Sequence, residues 1–104
     1  MNPDSYDSYN KFFVNFANDT KLKIILALRE KPLSVSEIVK KVNEEQSKIS
    51  HNLKNLLQCH ILTVKKSGKE RIYSLNKDTV IPMLKMVENH TKKCCCARCE
   101  KCQK

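Results

Sequence analysis

The chain has 104 residues and a formal charge of +9, from 20 basic and 11 acidic side chains. That length makes one small domain, able to bury only about two-thirds of the surface its unfolded chain exposes, so a dimer partner would help it. The amino end, MNPDSYDSYN, lacks the basic start and apolar run of a secretory signal, and no stretch approaches a membrane span. A cytoplasmic, reducing setting without a membrane partner is therefore expected, where clustered cysteines serve as metal ligands or redox sensors more often than as disulfides.

Over residues 5–16, Tyr6, Tyr9, Phe12, Phe13 and Phe16 recur at three and four, which predicts a helix with an aromatic face. Next, TKLKIILALRE (20–30) reads as a short apolar helix that stops before Lys31-Pro32, because the residue before a proline is pushed out of the helical region. SVSEIVKKV follows, with Ser34 as N-cap, Glu37 three residues on to complete a capping box, and Val35, Ile38, Val39 and Val42 as the buried stripe. Asn43 is placed to end it in a left-handed conformation.

EEQSKISHNLKNLLQCHI (44–61) predicts a further helix with Ile49, Leu53, Leu56 and Leu57 on its inner side. At about 100° per residue, Ser47, His51, Lys54 and Gln58 fall opposite, flanked by Lys48, Asn55 and Ser50. Cys59 reads as a small buried hydrophobe. The β-rich runs ILTVKK and ERIYSL flank SGK, so a hairpin turning at Gly68 is expected, with Lys65, Lys66, Lys69 and Arg71 near its tip. A last helix over residues 79–90 tolerates Pro82 in its first turn and buries Val80, Met83, Leu84 and Val87. Residue 92 is the natural boundary between a domain at 1–91 and a basic, cysteine-rich tail at 92–104 with a net charge of +4, against +5 for the rest.

Two helices joined by a tight turn, the second presenting short hydrogen-bonding side chains, form a reader of the DNA major groove, and a basic hairpin just after it is a wing that grips phosphates. The expected fold is therefore mainly α with a small β-hairpin, a winged helix-turn-helix. Its expected DNA-binding residues are Ser47, Lys48, Ser50, His51 and Lys54 in the groove and Lys65, Lys66, Lys69 and Arg71 on the backbone.

From about Phe13 to His90 these motifs resemble the ArsR/SmtB metalloregulators, dimeric winged-helix repressors of double-stranded operator DNA. SKISHNL stands where that family has Ser, Thr, Val, Ser, a basic or polar residue, His and Leu, with Asn52 at the place of the common His. The resemblance implies a homodimer formed through the first and last helices, which the aromatic stripe suits. It also implies a metal site, and two of the family's sites are missing: Ser34, Val35, Ser36, Glu37 and Ile38 replace Cys-Val-Cys-Asp-Leu, and of Lys77, Thr79, His90 and Lys93 only His90 matches the site across the last helix. Cys95, Cys96 and Cys102 are similar to the adjacent and third cysteines of arsenite-sensing members.

The tail's own chemistry points the same way. Soft ions select sulfur, As(III) or Sb(III) with three thiolates and Cd(II), Pb(II) or Zn(II) with three or four, and Cys94, Cys95, Cys96, Cys99 and Cys102 offer five thiols. Neighbouring Lys93, Arg98 and Lys101 favour the thiolate. The C-x2-C-x2-C spacing also resembles part of an iron-sulfur run, so a redox or iron-sulfur sensing winged-helix protein is the alternative. His51 and His60 have no acid or nucleophile beside them in sequence and no Gly-rich phosphate loop exists, so no enzymatic activity is expected.

Overall fold

The computed structural model describes residues 5–94, and within them the chain forms α1 (Ser5–Ala17), α2 (Asp19–Glu30), β1 (Leu33–Ser34), α3 (Val35–Val42), α4 (Gln46–Gln58), β2 (Leu62–Ser67), β3 (Glu70–Leu75) and α5 (Val80–Cys94). Helices dominate, as expected, but the hairpin has a third strand. Leu33 and Ser34 pair antiparallel with Tyr73 and Ile72, giving a sheet in the order β1-β3-β2.

Local chemistry sets most boundaries. Asn18 interrupts what would otherwise be one long helix: its side chain accepts from the Lys21 amide at 2.9 Å and starts α2 afresh. The capping box of α3 is complete, with the Glu37 amide donating to Ser34 Oγ at 3.3 Å and the Ser34 amide donating to Glu37 Oε1 at 2.8 Å. Asn43 closes α3 at φ 63°, and its amide donates to the Val39 carbonyl at 2.8 Å. Gly68 holds the first of the two loop positions between β2 and β3 at φ 64°, where a type II′ turn needs a residue without a Cβ.

The end of α4 departs from the usual glycine solution. His60 takes φ 60°, its amide donates to Leu57 and the Ile61 amide donates to Leu56, a Schellman closure in which Leu56 and Ile61 are both fully buried. That apolar contact offsets the roughly 1–2 kcal/mol a non-glycine residue loses in a left-handed conformation. Asn76 then pins this turn to the next helix. Its Nδ2 donates to the His60 carbonyl at 2.9 Å, while its Oδ1 accepts from the Asp78 and Thr79 amides at 2.9 and 3.3 Å just ahead of α5.

One core joins these elements: Ile24, Ile25 and Leu28 of α2, Ile38 of α3, Ile49, Leu53 and Leu56 of α4, Ile61 and Leu62, Tyr73 and Leu75 of β3, and Val80 and Leu84 of α5. α2 is its hub, in contact with α1, α3, α4 and β3. The last helix differs from expectation. It runs through position 92 to Cys94, and although Val80 and Leu84 are buried and Met83 half-buried, Val87 is 49% exposed. α5 leaves the body of the domain after Leu84, so its apolar stripe outlasts the core of its own protomer.

The capping box gives a direct test. Ser34→Ala should lower unfolding free energy by about 1 kcal/mol in denaturant titrations. Glu37 is held below its ordinary value, chiefly by the hydrogen bond from the Ser34 amide. Its contribution is therefore present above the usual carboxylate value of 4.5 and is lost as pH falls through the lower folded value. The stability gap between wild type and Glu37→Ala should accordingly be widest at neutral pH and close in acid. A gap that stays constant to pH 3 contradicts the assignment.

Candidate nucleic-acid interface

α4 is held by Ile49, Leu53 and Leu56, all buried, and this fixes what faces outward. Ser47, Lys48, Ser50, His51, Lys54 and Gln58 are exposed, and Asn55 is half-buried on the flank, as the periodicity predicts. Asn52 is instead buried, with Nδ2 donating to the Lys48 carbonyl at 2.8 Å. Its side chain satisfies the helix from within, which leaves His51 as the imidazole on the outer face.

Lys48 is not a bare cation. Its ammonium lies 3.3 Å from Glu44, whose other oxygen is 3.8 Å from Lys23, itself 3.2 Å from Asp19. This chain of charges runs from the first turn of α2 across the turn between α3 and α4. Exposed pairs of this kind contribute about 0–1 kcal/mol, little enough for a polyanion to displace. The sequence reading missed it because Glu44 and Lys23 meet only in the fold.

The hairpin carries Lys65, Lys66, Lys69 and Arg71, all exposed, and among the described residues none of them forms an ion pair. β2 and β3 keep register from Leu62↔Leu75 to Ser67↔Glu70, with Thr63 and Ser74 hydroxyls 3.1 Å apart across the ladder. β1 backs β3, so the hairpin is rooted beside α3, and Leu62 and Leu75 seat it in the core next to α4. Outer face and basic ribbon thus belong to one rigid unit.

The tail lies partly beyond what the structure describes. Cys94 ends α5, and Cys95, Cys96, Cys99 and Cys102 fall outside the described residues. Cys59 is a correction: expected in the core, it is exposed as the C-cap of α4, where the chain turns out through His60. His90 is exposed on α5. Among the described residues no group of three or more His, Cys, Asp and Glu side chains is placed to hold a metal ion, and no helix is long and apolar enough to cross a membrane.

The elements α3-turn-α4-hairpin define a winged helix-turn-helix. Residues 18–64, from the N-cap of α2 into β2, match the model of the family described as bacterial regulatory protein, arsR family. The chain is 31% identical over 68 residues to the HTH-type transcriptional regulator NmtR of Mycobacterium tuberculosis, over 65% of this chain and 57% of the relative. It is 24% identical over 90 residues to a transcriptional repressor SmtB homolog of Synechocystis, over 86% and 68% of the two chains. The chain thus spans a little over half of the first relative's length and about two-thirds of the second's. Its fold superposes on the homodimeric winged helix-turn-helix DNA-binding domain of Mb0332 from Mycobacterium bovis with a TM-score of 0.77 at 17% identity, covering 89% of each.

The position of Cys59 is checked with a thiol reagent. In a variant with all five tail cysteines replaced by serine, the single remaining thiol should react with Ellman's reagent in the native protein nearly as fast as in denaturant, within about tenfold, since access is one of the controls on thiol reactivity. Protection that lasts until unfolding contradicts an exposed Cys59.

Proposed function

We propose that this protein is a metal(loid)-responsive transcriptional repressor of the ArsR type, a homodimer that binds double-stranded operator DNA in the cytoplasm and releases it when a soft ion binds the C-terminal cysteines. The observation that carries the DNA reading is the outward face of α4 with the basic hairpin rooted beside it. In this reading Ser47, Lys48, Ser50, His51 and Lys54 enter the major groove, and Lys65, Lys66, Lys69 and Arg71 hold phosphates. The arsR-family match over residues 18–64 and the regulators NmtR and SmtB homolog among its relatives support it.

Apolar side chains that no described residue covers support the dimer. Tyr6, Tyr9, Phe13 and Val14 on α1 and Met86 and Val87 on α5 are all exposed, a burden that a second copy would remove. The Mb0332 domain, of the same fold, is homodimeric.

The effector reading rests on the donor set. Cys94, Cys95, Cys96, Cys99 and Cys102 supply five thiols within nine residues, a set that fits As(III) or Sb(III) best, with Cd(II), Pb(II) or Zn(II) as further soft ligands of the same sulfurs. A trivalent ion bound by three thiolates leaves the site neutral, so loss of positive charge is not the means of release. The means is a shift in how the two recognition helices are held, and coupling of this kind is typically about 1–3 kcal/mol, or roughly 5- to 150-fold in DNA affinity.

Mobility shifts of the full chain on its own promoter fragment, titrated with arsenite, antimonite, cadmium, lead and zinc in turn, test the whole reading. Replacing the five tail cysteines by serine should keep DNA binding and dimerisation and abolish the response. Release that persists in this variant places the sensor elsewhere. A purified protein that is brown and contains sulfide would make it an iron-sulfur sensor instead.

A further inference from the structure

Between Lys85 and Lys93 every residue of α5 is exposed within its own protomer, so after Leu84 that protomer's core no longer holds the helix's direction. One side chain ties it back. Glu88 lies one turn beyond Leu84 on the same face, where an apolar residue would continue the Val80-Leu84 stripe. It accepts two hydrogen bonds from Arg29 of α2, from Nε at 2.9 Å and from Nη2 at 3.0 Å. Among the described residues this is the one ion pair that joins the distal half of α5 to the rest of the chain.

The geometry is a planar fork on a carboxylate, which fixes orientation as well as distance. Each partner registers it: the hydrogen bond from Arg29 lowers the Glu88 pKa, and the same bond raises that of Arg29. Arg29 stands in the last turn of α2, the helix that packs on α3, α4 and β3. A displacement of distal α5 is therefore delivered to the helix on which the helix-turn-helix is built.

We propose that the Arg29–Glu88 fork is the positioning link that couples the distal half of α5, and with it the segment carrying Cys94 and the residues beyond, to the placement of α4. The regulatory part rests on the function proposed above; the tether itself does not. The Arg29 side chain is about a quarter exposed and that of Glu88 about half, so solvent screens the pair and its role is to set direction rather than to add much global stability.

The test uses the full chain with Arg29→Glu, Glu88→Arg and the double exchange. Each single variant should speed amide exchange across residues 86–94 by about tenfold with little change in melting temperature, since the opening is local. Each should also shrink the arsenite-induced change in operator affinity, expected at roughly 5- to 150-fold in wild type, to less than about twofold. The double exchange, which reverses the pair, should restore both. Wild-type exchange in the single variants, or a double variant no better than either, overturns the tether. Restored exchange with an unrestored arsenite response overturns the coupling. If wild type itself ignores arsenite, the effector reading fails, and the tether is judged on exchange and on metal-free operator affinity, which the single variants should alter and the double should recover.

Discussion

The inner stripe of α4, Ile49, Leu53 and Leu56, is buried in the same core as Ile24, Ile25 and Leu28 of α2, and a helix fixed by one face has no choice about the other. Ser47, Ser50, His51 and Lys54 are outward because those apolar residues are inward. Truncating a buried Leu or Ile to Ala costs about 2–5 kcal/mol in such a core, a large share of the roughly 5–15 kcal/mol that holds a typical domain. Orientation of the outer face is thus bound up with folding itself. The same packing seats Leu62 and Leu75, so the hairpin inherits its position from the core that positions α4.

Charge is distributed in keeping with that arrangement. Glu44, just ahead of α4, is paired with Lys48 and Lys23, and Glu30 with Lys41, whose hydrogen bond keeps the Glu30 carboxyl below its ordinary value. The hairpin cations have no such partners among the described residues. In the proposed complex a phosphate backbone approaching this side would meet hairpin cations free of ion pairs among the described residues and a lysine that must exchange one carboxylate for another anion. This division fits a protein that is attracted to DNA in general through the wing and selects among sequences through α4.

Much of this was legible in the chain because its signals are local. The Ser34-Glu37 box, the Asn43 cap, the Gly68 turn and the stripe of α4 each depend on residues a few positions apart, and each appears where the spacing puts it. What was hidden depends on distance or on company. β1 is only two residues long and exists because Leu33 and Ser34 meet Tyr73 and Ile72. Arg29 and Glu88 are 59 positions apart. His60 in a left-handed turn carries no glycine to announce it, and that turn is what brings Cys59 to the surface. Val87 reads as core from periodicity alone, yet it is about half-exposed, because an apolar pattern does not say whether the surface that covers it belongs to the same chain. The tail's thiols were readable as chemistry, and their arrangement lies outside the described residues apart from the backbone of Cys94.

The central claim is that the outer face of α4 lies in the major groove, and dimethyl sulfate footprinting of the promoter fragment tests it most directly, because the reagent methylates guanine N7 in that groove. Wild type should protect guanines in two half-sites about 10 bp apart, or a multiple of that, from a two-fold symmetric pair of helices. Lys54→Ala, or Ser47→Ala with Ser50→Ala, should remove protection at particular guanines while leaving the overall footprint in place. A bound complex whose guanine N7 atoms all stay reactive would contradict the account.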